Sequence, residues 1–253
     1  MRPRFKLGLV VLLAICCISQ LAEAAPTING LPDGVDSGSE YLFGYSFNQA
    51  NTLTLTFSSG GPIVLSTQFG GVNHTGWWSP TEGNNTSNDN YIVGDLSNDG
   101  TQLYNDFFSF ALGNIPMSAI VTSATLSIQR FSGGSSSGLL SEPLSFFDVF
   151  TDLATLDNKS AGPNAAIFND LGSGTNYGNF NVTIAGSSTD VLDFGLNSSA
   201  ISDINAAIAN AQPAFSIGGT LTPSAVPEPA SLVVWSLFIA VCGGATWWRR
   251  RKR

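Results

Sequence analysis

Thr52-Leu53-Thr54-Leu55-Thr56-Phe57 places an apolar side chain at every second position. Successive side chains of a strand point to opposite faces, so this stretch reads as a strand with one face in a core. Gly60-Gly61-Pro62 then breaks the chain, and residues 63–69 read as the return strand. Outward from this pair, residues 91–93, 107–112, 124–131, 144–150, 180–184, 191–196 and 215–221 read as further strands. In 124–131, Leu126 and Ile128 alternate with Ser127 and Gln129, while 133–138 reads as a flexible turn. Ile201, Ile204, Ile208 and Ala211, three and four apart, predict a helix over 199–211. Ser198 or Ser199 suits its cap, Asp203 suits its first turns, and Pro213 stops it. A shorter helical turn is expected at 164–171. Many short strands at close spacing predict an all-β domain: an antiparallel β-sandwich or jelly roll with one or two short helices. Residues 39–69 can be read as an extra hairpin on it, and no repeat or internal boundary stands out.

The chain has 253 residues, 43% hydrophobic and 11% charged, with a formal net charge of −8. The apolar content excludes a wholly disordered chain, and the acidity argues against a nucleic-acid partner, since phosphate binding needs Lys and Arg. The charge is segregated. Of the ten basic residues only Arg130 and Lys159 lie far from the ends, so residues 25–226 carry sixteen acids against two bases, a net of −14. All but three of the 27 glycines fall there as well, a composition that favours strands and tight turns over helices.

The ends read as addresses. Arg2, Arg4 and Lys6 precede the apolar run 7–18, and Ala22-Glu23-Ala24 supplies small residues at Ala22 and Ala24 for cleavage, so residues 1–24 read as a secretory signal peptide. Ile15 is too bulky before Cys16 for a lipoprotein signal. Residues 230–248 carry no charge and are long enough to form a transmembrane helix, with Trp247 and Trp248 at its interfacial end. Arg249, Arg250, Arg251, Lys252 and Arg253 should remain cytoplasmic, which leaves the chain between the two apolar segments outside the cytoplasm. Cys16, Cys17 and Cys242 are the only cysteines, so residues 25–226 have no disulfide and no thiolate chemistry.

Pro227-Glu228-Pro229, the apolar span and the terminal basic cluster, in that order, closely resemble the PEP-CTERM sorting signal, here residues 227–253. The resemblance implies a Gram-negative, often biofilm-forming source and recognition of Pro227, Glu228 and Pro229 by an exosortase, a membrane cysteine peptidase that cleaves near the motif. It implies an inner-membrane precursor that becomes a secreted, cell-surface or extracellular-matrix protein, with signal peptidase, the secretion machinery and the exosortase as partners. Within residues 25–226, Phe107-Phe-Ser-Phe-Ala-Leu112, Ser123-Ala-Thr-Leu-Ser127, Ile167-Phe-Asn-Asp-Leu-Gly-Ser-Gly-Thr-Asn-Tyr-Gly178, and Asp203-Ile-Asn-Ala-Ala207 with Phe215-Ser-Ile-Gly-Gly219 look like a domain common among PEP-CTERM proteins. Such domains are similar to carbohydrate-binding-like jelly rolls, which implies a fold and hints at an exopolysaccharide or other glycan partner.

Chemistry is sparse. His74 is the only histidine, and the Gly-x-Ser-x-Gly spacing of Gly134 to Gly138 falls in the flexible turn rather than at a strand-to-helix elbow, so a Ser-His-Asp triad lacks support, and no pair of carboxylates stands out for glycoside hydrolysis. No enzyme is expected and no cofactor is required. Calcium is the one cation with a candidate loop: Asp95, Ser97, Asp99, Gly100 and Asp106 fall at positions 1, 3, 5, 6 and 12 of an EF-hand-like spacing. Leu103 at position 9 and the strand-like flanks depart from that pattern, and the alternative is a plain Ser-Asn-Asp-Gly turn. Trp77 and Trp78 in a Gly-rich loop are the candidate sugar-stacking residues, set against packing under that loop. The expected function is therefore an exported structural protein of the surface or exopolysaccharide matrix. The alternatives are a secreted carbohydrate-binding module and a single-pass membrane protein that keeps its tail.

Overall fold

The computed structural model describes residues 27–28, 31–32, 40–45, 51–85, 89–97, 101–130, 132–135, 141–183 and 190–221. The chain divides into two units after Val35. In the first, β1 (Thr27–Ile28) pairs with β2 (Leu31–Pro32). The second holds β3 (Glu40–Tyr45), β4 (Thr52–Phe57), β5 (Ile63–Ser66), β6 (Gln68–Phe69), β7 (Val72–Asn73), β8 (Thr75–Trp78), β9 (Asn90–Asp95) and β10 (Leu103–Ala111). It continues with β11 (Val121–Arg130), β12 (Ser132–Ser135), β13 (Ser141–Asp148), β14 (Asn176–Thr183), β15 (Asp190–Gly195) and β16 (Ala214–Leu221). Helices α1 (Leu153–Asp157), α2 (Ala165–Leu171) and α3 (Ser198–Ala209) and a 3-10 turn at Lys159–Ala161 complete it. The described chain is mostly β, every pairing is antiparallel, and helices are few.

An eight-stranded sheet runs β12-β3-β9-β10-β16-β13-β14, with β8 also paired to β10, and a four-stranded sheet runs β15-β11-β4-β5. The opening hexapeptide behaves as its alternation predicts. Leu53 and Leu55 sit opposite Leu126 and Ala124 of β11, and all four are buried, while the intervening Thr54 and Thr56 stay partly or wholly exposed. One apolar cluster draws on both sheets: Leu53, Leu126 and Ile128 from the smaller, Phe108, Phe110 and Phe146 from the larger. Helix α3 adds Ile204 and Ile208 to it. A second cluster, Trp78, Phe107, Leu156, Ile167 and Leu171, lies under α1 and α2. There α2 approaches β16 so closely that a Cβ on Gly218 would stand 2.5 Å from the Leu171 carbonyl oxygen, a contact only glycine permits.

Several expectations need correcting. Residues 39–69 are not an appended hairpin: β3 lies between β12 and β9 in the larger sheet, whereas β4 and β5 belong to the smaller. The return strand ends at Ser66, one rung before buried Thr67, whose N–H still donates in register to the Asn51 carbonyl at 3.0 Å. Part of the expected turn at 133–138 is strand β12, paired with β3. Asn197, rather than Ser198 or Ser199, caps α3, its carboxamide oxygen accepting from the Ser199 and Ala200 amides at 2.9 and 3.2 Å. The strand expected over 144–150 leaves the sheet at Asp148, which frees Val149 and Phe150 for the loop described below. No helix among the described residues is long and apolar enough to cross a membrane, and the expected span at 230–248 lies outside them.

Candidate functional site

Where β13 ends, the chain enters a cleft of about 650 Å³. Its walls include Asp148, Phe150, Asp152, Tyr177, Asp203 and Phe215, contributed by the β13–α1 loop, β14, α3 and β16. Asp170 of α2 organises the loop. Its Oδ2 accepts from the backbone amides of Phe150 and Thr151 at 3.1 and 2.8 Å and from the Thr151 hydroxyl at 2.6 Å. A carboxylate that receives several donors holds them more firmly than a neutral acceptor would. The loop backbone is thus tied down while the Phe150 ring is 82% exposed.

The carboxylates in the cleft are each partly engaged. Asp148 Oδ1 accepts from the Thr175 amide at 2.7 Å. Asp152 caps α1, taking the Thr155 amide at 3.0 Å and its hydroxyl at 2.7 Å, and these bonds hold its pKa below the ordinary carboxylate value. Asp203 Oδ2 accepts from the Tyr177 hydroxyl at 3.0 Å. Burial, and then that bond to Asp203, push the Tyr177 phenol well above its usual pKa, so it remains a donor. Each carboxylate oxygen has a second lone pair, so all three acids keep acceptor capacity toward a ligand. Among the described residues, no Lys or Arg lines the cleft.

Trp77 and Trp78 lie elsewhere and do not provide the exposed stacking faces considered from the sequence. They form the end of β8, where adjacent side chains point to opposite faces, and both faces are covered, leaving them 6 and 3% exposed. Trp78 packs with Phe107 under the helices and donates from Nε1 to the Leu156 carbonyl at 3.2 Å. Trp77 meets the edge of Tyr104 at a centroid distance of 4.8 Å. Burial pushes the Tyr104 phenol up to about 12, with the Glu82 and Asp95 charges adding to the effect.

The calcium-loop residues are not brought together either. Asp95 closes β9 and spends Oδ1 on the Ser97 amide and hydroxyl, at 2.8 and 2.7 Å. The Ser97 hydroxyl in turn takes the Thr101 and Gln102 amides at 3.0 and 3.1 Å, the arrangement of a hairpin turn. Asp95 pairs with Leu103, and Asp106 lies three residues further along β10, about 10 Å away by strand rise. That odd separation also puts Asp106 on the opposite face from Leu103, beside Phe108 and Phe110 rather than beside Asp95. Asp106 is completely buried, with neither carboxylate oxygen bonded to a partner group, and a Cβ on its neighbour Gly219 would come 2.2 Å from Oδ1. Desolvation raises its pKa well above the ordinary value, against a smaller opposing effect of its own amide. No three Asp, Glu, His or Cys side chains among the described residues come together as a metal site, and Asp99 lies outside those residues.

His74 is committed to the fold. It stacks on Phe69 at 3.6 Å, its Nδ1 meets Asp157 Oδ2 at 2.7 Å and its Nε2 meets the Phe69 carbonyl oxygen at 3.1 Å. Neither ring nitrogen faces a hydroxyl nucleophile, as a triad base must. Lys159 is buried close by and donates to the Thr75 carbonyl at 3.1 Å. Arg130 is also buried, bonding the Thr183 carbonyl and Asp190. Both basic side chains of residues 25–226 are therefore internal.

The sequence reading missed Phe150 as a surface group because it extended β13 through it. The visible cue was Thr151-Asp152 ahead of Leu153, a capping signal that ends a strand run. The sorting and processing residues Ala22, Ala24, Pro227, Glu228, Pro229, Arg249, Arg250, Arg251, Lys252 and Arg253 all lie outside the described residues. No protein family matches the chain, and no curated protein or solved structure matches it.

Proposed function

We propose that this chain is an exported, non-enzymatic structural protein of the cell surface or exopolysaccharide matrix, delivered by a signal peptide and sorted through a PEP-CTERM-like tail. The observation that carries the reading is the order Pro227-Glu228-Pro229, charge-free 230–248, basic 249–253, at the far end from a signal peptide. On this reading the precursor sits in the inner membrane of a Gram-negative cell with its β domain outside. An exosortase then cuts near the motif. The β domain is a sandwich of the jelly-roll type. Support for that comes from two antiparallel sheets that feed one apolar cluster. The engagement of both His74 nitrogens supports a non-catalytic role. Replacing Pro227, Glu228 and Pro229 together with alanine should leave full-length protein in the membrane fraction of its host. Release as efficient as that of the native chain would refute sorting by this motif. A single-pass protein that keeps its tail would stay membrane-bound with or without the substitutions.

A second reading is favoured by the cleft: a carbohydrate-binding module, whose physical needs, an exposed aromatic ring and several hydroxyl acceptors, meet in the lining of this one cleft. It is compatible with the first, since a matrix protein has glycans as neighbours.

A further inference from the structure

The geometry points to the cleft around Phe150 as a binding site for uncharged pyranose sugars, with the Phe150 ring as the stacking platform and Asp148, Asp152 and Asp203 as hydroxyl acceptors. The inference rests on the carbohydrate-binding reading and is independent of export and sorting.

The platform comes first. A phenylalanine ring 82% exposed forgoes the burial that most aromatic side chains obtain. Here it is not a frayed side chain on a loose loop, because Asp170 pins the amides of Phe150 and Thr151 and the Thr151 hydroxyl together. The backbone that carries the ring is thus preorganised, so a ligand that stacks on the ring pays little to order the loop. Pyranose rings present an axial C–H face that is apolar and an equatorial rim of hydroxyls. The first matches the ring and the second matches a surround of carboxylates.

The ligand class follows from charge and spacing. Asp148, Asp152 and Asp203 line the cleft and, among the described residues, no basic side chain does, so uronates, sulfated sugars and phosphates meet like charge there. Both basic side chains that the domain possesses are buried on other business. A cation is the other partner that acids suggest. Yet no three acidic side chains among the described residues come close enough to share one ion. Carboxylates too dispersed for a metal but spaced around one cleft suit a ligand whose donors are themselves dispersed, as the hydroxyls of a sugar are. The Tyr177 hydroxyl is spent on Asp203, which orients that carboxylate for a further donor.

The test is calorimetric titration of the full-length chain in a detergent without a sugar headgroup. The probes are cellotetraose, galactotetraose, chitotetraose and the galacturonate tetramer. At least one neutral tetrasaccharide should bind, with an affinity little changed by added salt. Phe150→Ala should weaken that binding by about tenfold or more while leaving the melting temperature in place. Asp152→Asn keeps the helix cap, since Asn caps as well as Asp, and should weaken binding by a smaller factor. Neutral-sugar binding untouched by Phe150→Ala would move the site elsewhere and overturn the inference while sparing the module reading. Binding of galacturonate alone would overturn the ligand class. Binding of none of the four would overturn both the inference and the reading on which it rests.

Discussion

Trp77 and Trp78 sit 6 and 3% exposed at the end of β8, and Phe150 sits 82% exposed just past the end of β13. All three are aromatic side chains near strand ends, yet their environments are opposite. The tryptophans are covered because β8 lies alongside β10, with Tyr104 against Trp77 on one face and α1 and α2 over Trp78 on the other. Phe150 has left its sheet, and the loop that carries it is tied to α2 through its backbone rather than through its ring. What decides whether an aromatic residue builds a core or faces a ligand is the element laid over it, and that element can be far away in sequence.

The sharpest way to break this comparison is to truncate both kinds of ring. Trp78→Ala removes a fully packed indole and its bond to Leu156, and should cost about 3–5 kcal/mol by denaturant unfolding. If it costs no more than Phe150→Ala, the burial of the tryptophan is wrong.

Asp106 sharpens the same contrast, because it faces Trp77 directly across the β10–β8 pair. Its folded pKa is raised above the unfolded value of 3.8. Below that pH the proton is bound in both states and the group contributes no pH dependence. As pH climbs from about 4 toward the folded pKa, the unfolded state ionises freely and the folded state does not. Stability therefore falls by up to about 1.4 kcal/mol per pH unit, and levels off once the folded pKa is passed. Asp106→Asn should abolish this slope, so that the stability gap between variant and native protein moves in favour of the variant as pH rises above 4. Parallel curves for the two proteins would place the carboxyl in water.

Smaller effects test the exposed side. Phe150→Ala should change unfolding free energy by no more than about 0.5 kcal/mol, as at other surface positions. A loss of several kcal/mol would mean that the ring is packed. Smallest of all, calcium should leave the melting temperature unchanged, since Asp95 is committed to Ser97 and Asp106 points to the other face. A rise with calcium would show that Asp99 and its neighbours form a site of their own.

Part of the β domain is legible in local pattern because one face of some strands meets water. Thr52–Phe57 and Val121–Arg130 advertise themselves through alternation. Thr75–Trp78 does not, because it is buried on all four residues and the period disappears. Helix α1 is five residues long, too short to repeat an apolar face, and is fixed by the Asp152 cap instead. The partner of β3 is invisible locally, since β9 and β12 lie dozens of residues away. The cleft was hidden for the same reason: the acid that organises the Phe150 loop, Asp170, stands twenty residues downstream. Alternation records which side of a strand is wet, but not what a distant helix leaves open.

The most direct measurement on the proposed function is the intact mass of the protein recovered outside the cell. The expected species begins at Ala25, ends near Pro227-Glu228-Pro229, and is correspondingly lighter than the 26.5 kDa precursor. An extracellular species that still carries Arg249 to Arg253, in cells with a working exosortase, would contradict it.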